Sequence, residues 1–198
     1  MARLGKARVP TEGELKRLGV VTRAGRHAKR NAAMLVVSYR LGFRAKEIAA
    51  LCITQVLDGT ERLREECGLS ETMTKGGKPR MAYLTNAMVK QALRDYLDER
   101  REREGILFNL EAPLFMSQKG GHFSPNSMQQ LLARLHQRAG IDGGRSHSGR
   151  RWFATELISK GIDLKSVSVL MGHASVTMTA KYAEDNPQRL RRIAAELV

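Results

Sequence analysis

Residues 31–42, "NAAMLVVSYRLG", constrain the fold more than any other stretch of this chain. They are apolar almost all round, so a helix built from them has no side suited to water and must run through the middle of an assembly of other elements. The helix is expected over about 26–41, with Gly42 at the left-handed position that ends it. Thr11 and Glu14 have the spacing of a capping box, which predicts a short helix from about Glu12. A third short helix, "RAKEIAALC", follows Gly42 at once.

The helical period fades over 63–84. "LSETMTKGGKPRMAYLT" reads as two short strands around a Gly-Gly turn, with Thr72 and Thr74 before it and Met81, Tyr83 and Thr85 after. Lys75 then sits at the lip of the hairpin. Val89, Ala92, Leu93, Tyr96 and Leu97 restore the helical spacing. The tail of that helix, "DERRERE", reads as a solvated face carrying pairs such as Glu99 with Arg103. After the loop "LFMSQKGGHFSP", Ser124 and Pro125 open a helix that turns Met128, Leu131, Leu132 and Leu135 inward and stops at Gly140. Another helix is expected over 147–160, and Asp163 caps "LKSVSVLMG". A last one is entered through Asn186 and Pro187 and spans about 187–198, with Leu190, Ile193, Ala194 and Leu197 on one stripe. The expected class is α+β, mainly α, with one small antiparallel sheet, in a single domain over 1–198.

Charge narrows the partners. Lys and Arg number 34 against 20 Asp and Glu, a net charge of +14, which calls for a polyanion, most simply nucleic acid. Ribosome-like and membrane-surface proteins reach similar values, but no apolar run approaches the roughly 20 residues that span a bilayer. Two cysteines, Cys52 and Cys67, are too few for a disulfide framework or a cysteine-only zinc site. The expected setting is the reducing cytoplasm, in association with the nucleoid, without a membrane.

Two histidine motifs bear chemistry. His147 and Arg150 lie three apart at a helix start, where free N–H groups and the helix dipole already favour anions, so they make a seat for phosphate. "GHASVTMTAKY" places His173 and Tyr182 nine residues apart among small and hydroxylated residues. Each motif alone is equally consistent with a helix cap or a packed core residue.

Taken together and in order, the motifs resemble the tyrosine recombinases, the lambda-integrase-like site-specific recombinases. "GFRAKEIAAL" resembles the family's first arginine box, with Arg44 as its arginine and Glu47 as the acidic residue three later. "TKGGKPRMAYLT" is similar to its β-hairpin, with Lys75 at the catalytic lysine. "HSGRRWFATEL" is similar to the His-x-x-Arg box, giving His147 and Arg150, and "LMGHASVTMTAKY" to the last box, giving His173 and Tyr182. Gly149 departs from the family's usual leucine and weakens a helix by roughly 1 kcal/mol against a good helix former. Arg151 and Trp152 stand where histidine and a small polar residue are common. The additional N-terminal DNA-binding domain usual in the family is not expected within residues 1–198, as in a naturally short recombinase or an excised domain.

The resemblance implies cutting and rejoining of DNA through a 3′-phosphotyrosine, with no metal and no cofactor. Tyr182 is the implied nucleophile, Arg44 and Arg150 bind the phosphate, and Lys75 protonates the leaving oxygen. His147 assists proton transfer, His173 bonds a phosphate oxygen, and Glu47 supports the arginines. The implied partner is double-stranded DNA with specific recombination sites, bound by a homotetramer that is a monomer when free, as in phage or mobile-element integrases. A type IB topoisomerase and a non-catalytic DNA-binding regulator on the same fold are the alternatives.

Overall fold

The computed structural model describes residues 7–74, 78–184, 191, 194 and 195. The expected hairpin lip at Lys75 therefore lies outside the described residues, as does the expected helix over 187–198 apart from 191, 194 and 195, which are helical.

The polypeptide begins with α1 (Glu12–Arg23), whose capping box forms as expected: the Thr11 side chain accepts from the Glu14 amide, and the Glu14 carboxylate accepts from the Thr11 amide. Next comes α2 (Ala28–Arg40), with eight of its residues buried. It packs against α1, α3 (Ala45–Ala50), α4 (Ala87–Glu104) and α6 (Ser148–Ser159), as an all-round apolar helix must. Asn86 caps α4; Ser124 and Pro125 open α5 (Pro125–Arg138); Asp163 caps α7 (Leu164–Met171). Gly172 ends α7 in the left-handed conformation, φ 58°, and α8 (Val176–Glu184) follows.

The sheet corrects the sequence reading. Its two antiparallel strands are β1 (Glu66–Leu69) and β2 (Arg80–Tyr83), with Glu66 opposite Tyr83 and Leu69 opposite Arg80. Thr72 and Thr74 are not in a strand, because 70–74 folds into a turn in which the amides of Met73 and Thr74 both bond the Ser70 carbonyl. Ten residues, 70–79, therefore join the strands. The inward alternation that selects β1 lies in Cys67 and Leu69.

The tail of α4 is also corrected. Arg100 is fully buried, with its guanidinium bonded to Glu104 and to the carbonyls of Pro113 and Leu114, so it ties the helix to the following loop and is not part of a solvated face.

Two hydrophobic clusters result. The large one surrounds α2 and takes in α1, α3, α4, α5 and both strands. A small one, with Ala154, Ile158, Val167 and Met171 at its centre, joins α6, α7 and α8 and includes Tyr182 at its edge. Gly42 and Gly149 let the two meet. A Cβ on Gly42 would lie 2.6 Å from a ring carbon of Phe153, and one on Gly149 would lie 2.3 Å from Ser38 Oγ and 2.9 Å from the Tyr39 ring. The glycine that weakens α6 is what permits α6 to approach α2 so closely.

Replacing Gly149 by alanine therefore destabilises the protein by about 1–3 kcal/mol through overpacking. This holds although alanine is the better helix former by about 1 kcal/mol. Urea denaturation of the full chain checks the sign, and a more stable variant would contradict the close approach.

Candidate active site

The seam between the two clusters carries the charge. Arg44 occupies the N-cap position of α3, and Glu47, one turn on, accepts from the Arg44 amide at 2.8 Å and from its guanidinium at 2.7 Å. The Glu47 side chain is wholly buried. A second guanidinium, that of Arg80 on β2, donates to the same carboxylate at 2.8 Å. Burial pushes the Glu47 carboxyl up, but the charge and hydrogen bond of Arg80, the Arg44 amide and the charge of Arg150 outweigh it and hold it below its ordinary value.

Arg150 enters from the first turn of α6 and lies 3% exposed. It donates to the Gly42 carbonyl at 2.6 Å and to the Met171 carbonyl, so one side chain spans the end of α2 and the end of α7. Burial first, and then the neighbouring charge of Arg44, lower its pKa to about 9. The site is a pocket crowded with cations.

His173 follows the left-handed turn at Gly172. Its Nδ1 lies 2.8 Å from the hydroxyl of Thr179, which is fully buried on α8. Burial, followed by the charges of Arg150, Arg44 and Arg80, holds the imidazole down to about 4, so it is neutral at pH 7. Tyr182 lies one turn beyond Thr179. Its ring stacks on His173 with centroids 6.0 Å apart and planes 6° apart, and the Arg151 guanidinium lies 5.5 Å from the phenol ring centroid.

His147 is exposed on an open cleft of about 560 Å³ that it shares with Arg145, Arg151, Tyr182 and the polar face of α5. A larger groove of about 850 Å³ lies between α1, α2 and α4; it holds neither a histidine nor Tyr182, so the smaller cleft, which holds His147 and Tyr182, is the candidate. Among the described residues, no group of three or more His, Cys, Asp and Glu is placed to hold a metal ion.

Of the residues expected from sequence, Arg44, Glu47, Arg150, His173 and Tyr182 gather at the seam. His147 opens onto the cleft beside Tyr182 while Arg150 is buried, so the two differ in depth. Lys75 lies outside the described residues, but the carbonyl of its neighbour Thr74 is held by Lys46 Nζ at 3.2 Å. Arg80 and Thr179 were not singled out by sequence, and Arg151 was noted only as a departure from the family's pattern. For Arg80 the signal was present: it stands two before the buried Ala82, on the inward face of a strand, where a cation must have a partner.

Comparison with known proteins gives the family and the fold. Residues 8–189 match the model of the phage integrase family. The tyrosine recombinase XerC of Pelobacter propionicus is 31% identical over 166 residues, which cover 83% of this chain and 50% of that protein. The tyrosine recombinase XerD of Mycobacterium leprae is 36% identical over 170 residues, covering 84% and 51%. The crystal structure of XerA recombinase superposes with a TM-score of 0.76 at 26% identity, over 97% of this chain and 65% of that one. The chain thus spans about half the length of its XerC and XerD relatives. With the family's boxes in order and their arginine, histidine and tyrosine side chains converging on one seam, this chain belongs to the phage integrase family of tyrosine recombinases.

Proposed function

We propose that this protein is a site-specific DNA recombinase that cuts and rejoins duplex DNA through a tyrosine–phosphate linkage. The observation that carries this reading is the stacking of Tyr182 on His173 beside a cluster of three guanidinium groups and one carboxylate. In the proposed reaction the Tyr182 oxygen forms a bond to a backbone phosphorus and the bond to the 5′-oxygen breaks. The linkage conserves the bond, so the 5′-hydroxyl can attack it and restore the strand without ATP.

Each side chain has a task its surroundings suit. Among the described residues, Nε and one terminal nitrogen of Arg44 have no protein partner, and its side chain is 15% exposed, so they are available to a non-bridging phosphate oxygen. The plane of Arg150 is set by two carbonyls, which leaves its remaining N–H groups already aimed. With Thr179 donating to Nδ1, neutral His173 presents Nε2–H to a phosphate oxygen. His147 takes up the phenol proton, and Lys75 gives a proton to the departing 5′-oxygen. Positive side chains supply the charge that stabilises the transition state. On this reading the chain acts on DNA with specific sites, as a tetramer assembled there, in the cytoplasm; a phage or mobile-element setting is part of the proposal.

Three outcomes test it. Tyr182→Phe retains duplex affinity but forms no SDS-resistant adduct with nicked duplexes; an adduct from this variant removes Tyr182 from the mechanism. With a net charge of +14, duplex affinity falls by a factor on the order of 10³ between about 50 and 200 mM salt if six phosphates are neutralised. Filter binding measures that slope, and a flat one contradicts the reading. The third concerns pH. The His173 pKa is lower in the folded chain, about 4, than its ordinary 6.5, so the unfolded chain takes up a proton that the folded chain does not between these values. Stability contributed above about pH 6.5 is therefore lost as pH falls toward 4. Urea denaturation at pH 7 and pH 5 reads this loss, and it is smaller in His173→Gln; an equal loss in both proteins would place the titration elsewhere.

A further inference from the structure

We propose that Arg80 is a positioning residue that shares the Glu47 carboxylate with Arg44 and thereby leaves Arg44 open to phosphate. This rests on the phosphate-binding role proposed above for Arg44.

The geometry argues that Arg80 itself never meets DNA. Its side chain is 5% exposed. One terminal nitrogen donates to the Leu170 carbonyl at 2.8 Å and the other to Glu47 at 2.8 Å. The guanidinium lies 4.9 Å from the Phe43 ring centroid, and its Nε is buried without a hydrogen-bond partner. The side chain passes so close to Gly172 that a Cβ there would lie 2.4 Å from Arg80 Cδ. Such a side chain is packed into a fixed channel between β2, α3 and the last turn of α7. It is a strut in that channel.

What it does there follows from the capacity of the carboxylate. One oxygen of Glu47 accepts from the Arg44 guanidinium, and the other is occupied by the Arg44 amide and by Arg80. Arg44 is thus held by a single guanidinium nitrogen. With Arg80 absent, the second oxygen becomes free to draw Arg44 into a two-pronged pair, the preferred geometry of arginine with carboxylate. That pair would take up the nitrogens that would otherwise face phosphate. The charges point the same way. Arg44, Arg80 and Arg150 against Glu47 leave two net positive charges, and loss of Arg80 leaves one. Arg80 also stands five residues beyond Lys75, so the strut fixes the strand that leaves the Lys75 segment.

The test uses the full chain and three variants: Arg80→Met, which keeps the length and removes the charge, Arg80→Lys, which keeps the charge, and Arg80→Met with Glu47→Gln. In the DNA-free protein, carboxyl-detected NMR follows the titration of Glu47. Its midpoint rises in Arg80→Met and stays low in Arg80→Lys; an unchanged midpoint in Arg80→Met overturns the proposal. Adduct formation is then followed in single turnover on a pool of nicked duplexes of random sequence. Arg80→Met slows it by about 10²-fold, the scale of one lost transition-state donor, with duplex affinity altered by less than about threefold. Glu47→Gln in the same chain removes the excess negative charge while its amide oxygen still caps Arg44, and recovers at least about tenfold of the rate. A double variant as slow as Arg80→Met shows that Arg80 serves packing alone, and overturns the proposal. If the unmodified protein forms no adduct, the recombinase reading has failed, while the Glu47 titration still decides the role of Arg80.

Discussion

Arg150 reaches across the protein's internal seam. Its guanidinium holds the carbonyl of Gly42, at the end of the helix that organises the large hydrophobic cluster, and that of Met171, at the end of a helix in the small one. Met171 closes the last turn of α7, where backbone acceptors have no partner inside their own helix and carry the negative end of the helix dipole, and Gly42 stands just past the end of α2. A buried cation is tolerated there because two such ends converge on it and the Glu47 carboxylate lies nearby. Everything at the site inherits this placement. Gly42 leads directly into Phe43 and Arg44, and Met171 into Gly172 and His173, so the same two contacts that satisfy Arg150 set the starting points of both flanking segments.

The price of that arrangement is electrostatic. Three guanidinium groups and an imidazole are gathered around one carboxylate, and burial, followed by the neighbouring charges, depresses both Arg150 and His173 as proton acceptors. The isolated chain therefore contains a site whose charges repel one another, and an incoming anion relieves that repulsion. On the proposed function, the stability given up to this crowding becomes selectivity for a polyanion. The same logic accounts for the burial of Glu47, which is the counter-charge that allows the arginines to be brought together during folding.

Much of this was legible in the sequence where a local rule governs. Thr11, Ser124 and Asp163 cap the helices they precede because a side-chain oxygen next to free amides is a purely local matter. The apolar stretch of α2 announces its burial for the same reason. The strands were harder. In 63–85 the Gly-Gly pair is a stronger turn signal than the brief alternation of Cys67 and Leu69, and a register is a property of two segments, which neither displays alone. Arg100 looked like one more member of a charged run, since its burial depends on the carbonyls of a loop that returns from residues 113 and 114. Gly149 looked like a flaw in α6 until Ser38 and Tyr39 were seen against it. Of the site, the residues with a chemical signature stood out in the sequence. Arg80 and Thr179, which act on those residues from other elements, did not.

The division of the core has one more consequence. Tyr182 is anchored to the cluster of four buried side chains, Ala154, Ile158, Val167 and Met171, and not to the far larger one around α2. Free energies of local opening scale with the apolar contacts that must be lost, so a helix seated on a few side chains can detach at a small fraction of the cost of global unfolding. The helix that carries the phenol is thus seated on α6 and α7 and not on the large cluster. The arginines and Glu47 rest on α2, α3, α6 and the strands, so the reacting group and the charges around it draw their support from different parts of the core.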